Sequence, residues 1–479
     1  MKMCDDRKGQ SYSLRPFLKN RHFRNSEVPT QKGAQSMAKS TAKTAEQASK
    51  KFTKTEKSWI MYDWANSVYA TNMLAAIFPL YFGEVCRAAG ADNLVLWSYG
   101  TSISTFVVAV LAPILGALAD HKGNKKKLFT VFLVLGVVFT LSSAFTADYR
   151  FMLVGYVISH IGFSGSCLFY DSFLTDVTTP ERMDRVSSWG YAMGYIGGST
   201  IPFLISIVIL LTMGQDNPLA HQIVVILTSV WWLVFSIPML KDVHQVHYVE
   251  AEKNLVRSSL SNLWKTAKDI FKQKHIFLFI VAYFFYIDGV GTIISISTSY
   301  GSKLGLNTIG MILALLVTQV VAVPFSILFG RLAEKIGSIR ILLTAIAVYF
   351  CICVVGFFMG FNIEQSGGSA DALQLSQILF WAMAFLVGTV QGGIQAISRS
   401  YFGKLIPAER SNEYFGFFDI FGKFAAVIGP MLVGVFSQQT GRDSIGIISL
   451  CILFLLGFFI LFFGRKTLAQ GAAAAAKEE

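Results

Sequence analysis

Residues 391–430 read QGGIQAISRSYFGKLIPAERSNEYFGFFDIFGKFAAVIGP, and a looser copy of the same stretch lies 228 residues upstream. At that constant offset Gly165 answers Gly393, Glu181-Arg182 answers Glu409-Arg410, Gly194 answers Gly422 and Pro202 answers Pro430. No insertion interrupts the match, which crosses two apolar runs and the loop between them. At a slightly different offset Asp63 answers Asp288. The chain is built as a repeat, and its unit is a set of helices rather than a short motif. Within 391–430 the polar residues keep helical spacing. Gln391, Gln395 and Arg399 recur every four residues, and Asp419 and Lys423 do the same beyond the Pro407 turn.

The setting of this stretch is apolar. Of 479 residues 53% are hydrophobic and only 15% charged, where a soluble protein carries about a quarter charged residues. The apolar residues gather in runs of about twenty, the length that crosses about 30 Å of hydrocarbon. This is an all-α, polytopic membrane protein. Twelve spans are expected, at about 59–82, 97–119, 127–146, 151–176, 187–213, 221–240, 276–299, 307–330, 338–361, 375–400, 412–437 and 443–464. They form two pseudo-symmetric bundles of six, 59–240 and 276–464. Parallel six-helix repeats of this kind build one class of membrane carrier.

The net charge of +12 does not point to nucleic acid, because it follows the topology. Fourteen of the 41 Lys and Arg precede Ser58. Of the rest, only Arg87, Arg150, Lys303 and Arg442 fall in loops assigned outside, and basic loops alternate with these. By the positive-inside rule both termini are cytoplasmic. Residues 1–58, basic and rich in Ser, Thr, Lys and Gln, are expected to be disordered. They contain no apolar stretch of the signal-peptide kind, and Met37 is an alternative start. In the linker, 241–275, Leu260, Leu263, Trp264, Ala267, Ile270 and Phe271 recur at helical spacing among lysines. They predict an amphipathic helix on the anionic leaflet, with a soluble linker helix as the alternative. Residues 465–479 form a cytoplasmic tail. The six cysteines are scattered and suggest neither a disulfide frame nor a metal site.

The loop after the second span reads Gly116-Ala-Leu-Ala-Asp120-His-Lys-Gly123-Asn-Lys-Lys, and a degenerate copy, Gly330-Arg-Leu-Ala-Glu334-Lys-Ile-Gly337, follows the eighth. Both resemble the loop motif of the major facilitator superfamily. That resemblance implies that Gly116 and Gly123 allow close approach and that Asp120, and Glu334 in the copy, belong to a conformational latch. Asp120 in such a motif sits well near a helix N-terminus, where the dipole favours an acid. The runs Tyr62-Asp63-Trp64-Ala65-Asn66-Ser67, Phe78–Phe82 (FPLYF), Phe284–Ile293 (FFYIDGVGTI) and 391–430 narrow the resemblance further. They look like the vacuole-effluxer-like branch, named for an autophagy-related fungal amino-acid exporter. The branch implies export of small solutes, with amino acids the named substrates in the fungal case. Gly291 departs from the polar residue expected in the seventh-span motif.

Ionisable groups at membrane depth mark pathways, relays or gates. Asp288 lies near mid-span, where a carboxylate is protonatable and suited to proton coupling, or else hydrogen-bonded to a neighbouring helix. Lys423 suits a substrate carboxylate, unless it is neutralised by Asp419 one turn before it. Gln391 and Gln395 offer donors and acceptors to cargo, or glue helices together. Asp63 and Asn66 join the substrate or coupling candidates, Asp63 with a gate pair as its alternative. His160, Ser164, Cys167 and Asp171 share one face of the fourth span, so Asp171 maps onto Arg399 and Asp176 onto Lys404. These four charges are expected to pair across the halves as gate salt bridges. His160 fits an interhelical hydrogen bond better than a proton relay.

With no phosphate-cradling loop and no catalytic motif, the expectation is a non-enzymatic secondary carrier with no cofactor and no metal. It would work by alternating access, exporting a small polar metabolite, amino acids first, with protons as the candidate coupling ion. A drug or sugar carrier is the alternative, and a non-transporting sensor or scaffold the alternative of another class. A monomer in the bilayer, with a small solute as partner and no nucleic acid, is expected. The membrane is the bacterial inner membrane, or the vacuolar membrane for a fungal chain.

Overall fold

Each apolar run becomes a helix because hydrocarbon leaves the backbone no partner but itself. The computed structural model describes residues 51–215, 217–250, 266–425 and 427–478. The expectations for residues 1–50, and for Leu260, Leu263 and Trp264 of the linker, lie outside them. The compact unit starts at Thr53. We number its long helical segments in chain order. They are α1 (Lys54–Tyr69, continuing as Ala70–Ala75 and Ile77–Ala88), α2 (Asn93–Ala119), α3 (Asn124–Ser142) and α4 (Tyr149–Ser172). Next come α5 (Met183–Met193, Gly194–Thr200 and Ile201–Met213), α6 (Pro218–Asp242), α7 (Lys274–Lys303) and α8 (Thr308–Ile336). The last four are α9 (Ser338–Ser366), α10 (Ala370–Gly403), α11 (Ser411–Ala425 and Ile428–Thr440) and α12 (Asp443–Ser449 and Cys451–Glu478).

Eleven of these are long and apolar enough to cross a membrane. The segment that falls short by that measure is α1, which is broken into three pieces. It opens at Lys54, not 59, because Thr53 and Glu56 form a capping box: the Thr53 hydroxyl accepts from the Glu56 N–H, and the Glu56 carboxylate from the Thr53 N–H. Its middle, Ala70–Ala75, is π-helical, as is Gly194–Thr200 of α5. Such wide turns are frequent at functional sites.

Within each half the helices approach through small residues, as helices in lipid must without a hydrophobic force between them. A Cβ on Gly162 of α4 would lie 2.3 Å from the Gly136 nitrogen of α3. One on Gly393 of α10 would lie 2.2 Å from the Phe329 ring of α8. The same principle joins the halves. A Cβ on Gly116 (α2) would meet the Asn412 carbonyl of α11 at 2.4 Å, and one on Gly330 (α8) the Ser188 side chain of α5 at 2.7 Å. The two copies of the loop motif thus supply the glycines at two equivalent inter-half crossings.

Candidate cytoplasmic gate and central site

Asp120 follows the last turn of α2 and is 3% exposed. Its Oδ1 accepts from the Asn412 N–H at 2.9 Å and the Asn412 Nδ2 at 2.7 Å, and its Oδ2 from the Glu413 N–H at 3.0 Å. These are unpaired donors at the start of α11, so the acid of one half caps a helix of the other. Burial pushes the Asp120 carboxyl up to about 7, against the pull of Lys125 and the three donors. Gly123 (φ 75°) makes the turn that starts α3. The segment after α6 straps this loop down: Gln245 accepts from the Gly123 N–H at 2.8 Å and donates to the Ala119 carbonyl at 3.0 Å.

The second half does not copy this latch. Glu334, the counterpart of Asp120, is exposed and forms no close ion pair among the described residues. Asp184, on α5, supplies the acid instead. It accepts from Lys404 Nζ (2.6 Å), Ser338 Oγ (2.7 Å) and Ser400 Oγ (2.6 Å), all in the other half. At the offset of 228, Asp184 corresponds to Asn412 and Ser400 to Ser172. Ser172 donates to the Asn412 side chain, so these are the two copies of one contact.

The expected pairing of Asp176 with Lys404 is therefore corrected. Asp176 is buried against Lys125 of its own half at 2.7 Å and accepts from the Val246 and His247 N–H groups, both at 2.8 Å. Lys125 also reaches Ser411 of α11 at 3.0 Å, so Asp176 backs a contact between the halves.

The expected pairing of Asp171 with Arg399 is present, and larger than expected. Arg399 is 4% exposed. It donates to Asp171 at 2.9 Å, Asp63 at 3.2 Å, the Ser187 hydroxyl at 2.9 Å and the Ser187 carbonyl at 3.1 Å. Four of its contacts cross from α10 into three helices of the first half. The guanidinium also lies 4.8 Å from the Trp59 ring and 4.5 Å from the Tyr191 ring, where a cation is attracted to the ring face. Tyr170 donates to Asp63 at 2.7 Å. Gly190 makes room for the knot, since a Cβ there would lie 2.4 Å from the Asp63 carboxylate.

Deeper in the chain of contacts lie the central candidates. Lys423 and Asp419 form a salt bridge, so the mutual neutralisation considered from the sequence holds in this state. Both lie within electrostatic reach of Cys167 on α4, and Lys423 within reach of His160. His160 is an interhelical partner, its Nδ1 2.7 Å from the Ser104 hydroxyl of α2. Asp288 is 1% exposed and accepts from the Gly429 N–H through both oxygens, at 3.0 and 2.8 Å, and from Thr292 at 3.3 Å. It thereby caps Ile428–Thr440, the second piece of the broken α11, from α7. Gln395 donates to the Gln391 carbonyl at 3.3 Å on α10, and neither glutamine is buried. Asn66 is buried on α1, a turn beyond Asp63. Among the described residues no group of His, Cys, Asp or Glu is placed to hold a metal ion.

Two halves locked at one end by buried charges, around helices with ionisable groups at depth, form the architecture of a carrier. The profile of the vacuole effluxer Atg22-like family matches residues 91–470. The chain belongs to that family. It is 46% identical over 424 residues to the MFS-type transporter YxiO of Bacillus subtilis, covering 86% of this chain and 95% of that one. It is 22% identical over 445 residues to autophagy-related protein 22-1 of Aspergillus fumigatus, covering 75% and 72%. Solved structures share the fold at low identity. The proton:xylose symporter XylE aligns with a TM-score of 0.61 at 11% identity, covering 87% of this chain and 94% of its own. A bacterial homologue of the iron transporter ferroportin in the outward-facing state gives 0.61 at 14% identity, covering 86% and 98%.

This Atg22-like protein is accordingly a multi-pass membrane transporter of the major facilitator type, and its relatives are transporters, not enzymes. Sequence reading missed Asp184, Lys125, Ser187 and Gly190. The offset of 228 already aligned Asp184 with Asn412, but a polar residue at a helix start looks like an ordinary cap until its partner is known.

Proposed function

We propose that the protein is a secondary active carrier that exports small zwitterionic metabolites, amino acids first, by alternating access. The observation that carries this reading is the Lys423–Asp419 pair on α11, within electrostatic reach of α4 of the other half. A free amino acid presents one carboxylate and one ammonium. It can exchange partners with such a pair, carboxylate to Lys423 and ammonium to Asp419, without leaving a charge uncompensated at depth. A sugar offers no such exchange. Outward transport is supported by the effluxer description of the family.

Proton coupling is assigned to Asp288. As a carboxylate it holds the second piece of α11 through Gly429; protonated, it loses acceptor capacity and loosens that piece six residues beyond Lys423. The gate formed by Asp120, Asp184 and Arg399 closes the cytoplasmic end while the cargo leaves. In a bacterium the inner membrane is the site of action.

Counterflow of radiolabelled amino acids into proteoliposomes, with and without a pH gradient, tests this. Lys423→Gln should abolish counterflow, and Asp288→Asn should remove the effect of the gradient while leaving exchange. Sugar counterflow without amino-acid counterflow would overturn the substrate reading, and ligand binding without any flux would support a sensor.

A further inference from the structure

A groove of about 1090 Å³ runs along α3. Its wall is apolar, built by Val131, Val134 and Val138, which are 58%, 46% and 50% exposed. Its cytoplasmic mouth is basic, formed by Lys126, Lys127 and His244. Lys126 Nζ lies 3.2 Å from His244 Nδ1, and neither lysine forms a salt bridge among the described residues. The nearby acids are engaged elsewhere. Asp242 binds Lys54 at 2.6 Å and Ser58 at 2.8 Å, while Asp120 and Asp176 are buried in their own networks.

Two lysines in the first turn of a helix sit against the positive end of its dipole. An anion is the missing partner, and it must also cover an apolar wall at the level of the bilayer. Free phosphate satisfies only the mouth, and a neutral lipid only the wall. We propose that this groove binds an anionic glycerophospholipid, its phosphate at Lys126, Lys127 and His244 and one acyl chain along Val131–Val138.

The site adjoins the gate. Gln245 lines the same groove and clamps Gly123 and Ala119, the turn that carries Asp120. A headgroup at this mouth holds the strap and the turn together, and so favours the state with the cytoplasmic end closed. This proposal does not depend on the identity of the cargo.

The test uses the full chain in neutral detergent, titrated with dioleoyl phosphatidylglycerol, dioleoyl phosphatidylcholine or inorganic phosphate. Native mass spectrometry counts retained lipid and thermal unfolding follows stabilisation. Phosphatidylglycerol should bind and raise the melting temperature, with phosphatidylcholine much weaker. Lys126→Gln/Lys127→Gln should weaken phosphatidylglycerol about thirtyfold, the scale of two lysine–headgroup attractions. Val134→Trp, which fills the wall, should lower retention without touching a charge, and it carries the discrimination should the lysine variant fold poorly. Lys335→Gln/Arg340→Gln, on the other half's basic loop, should bind as the parent does. Equal affinity for the two lipids, the same stabilisation by inorganic phosphate, or unchanged binding by both groove variants would each overturn the proposal.

Discussion

Replacing Asp184 by Asn leaves Lys404 without its counter-ion in the inter-half contact, while Ser338 and Ser400 keep a neutral acceptor. Breaking a fully buried pair costs about 3–5 kcal/mol, mostly from the stranded charge. Asp184 is 2% and Lys404 16% exposed, so the lysine can recover some water and about 2–3 kcal/mol is expected. On the alternating-access proposal the open state separates the halves and breaks these contacts, so the loss should fall on the closed state. At 1.4 kcal/mol per tenfold, the closed-to-open ratio should drop about 30- to 140-fold. Spin labels at Lys122, in the loop after α2, and Lys335, in the last turn of α8, both exposed, report that ratio as a distance distribution. Asp184→Asn should move the population to the longer distance. Lys404→Gln should do the same, and the double variant should add little. Asp176→Asn and Lys404→Gln, in contrast, should add within about 0.5 kcal/mol, because they share no contact. An unchanged distribution in Asp184→Asn would refute the reasoning, since the second latch would then contribute nothing to closure.

Exchanging Asp171 and Arg399 should restore only part of the transport lost in either single reversal, because Asp63, Ser187 and the Trp59 and Tyr191 rings still expect an arginine on α10; a double variant no better than the singles would sink the pairing. The closed state holds Asp120 with its carboxyl raised to about 7, above the usual carboxylate value, so it binds the extra proton between about pH 4 and 7. Closure should therefore be strongest at the acid end, weaken as pH rises through about 7 and then level off, and Asp120→Asn should flatten that part of the label-distance profile. Gly116→Ala should prop the gate open by forcing a Cβ onto the Asn412 carbonyl, whereas Gly330→Ala meets a serine side chain and should cost less; transport assays on both, with melting temperatures to confirm folding, check the order.

The all-helical, membrane-spanning character was legible in the residues because it rests on local chemistry. A run of about twenty apolar residues must satisfy its own backbone in lipid, and lysine and arginine in short loops stay on the cytoplasmic side. Helix α1 begins at Lys54, five residues before the expected span, because the Thr53–Glu56 capping box starts it in the polar stretch Lys54–Ser58.

The gate divides differently. The repeat by itself determined which residues are equivalent, and equivalence is a statement about a pseudo-twofold axis. Residues close to that axis meet their own counterparts, as Asp171 meets Arg399. Residues away from it do not, which is why Asp176 turns to Lys125 and Lys404 to Asp184. The sequence thus determined the apolar helices, the glycines at the inter-half crossings and the arginine that bridges the halves. Only the packing of one half against the other decided which acid closes each latch, because distance from the axis is set by helix tilt and rotation and is not written in residue spacing.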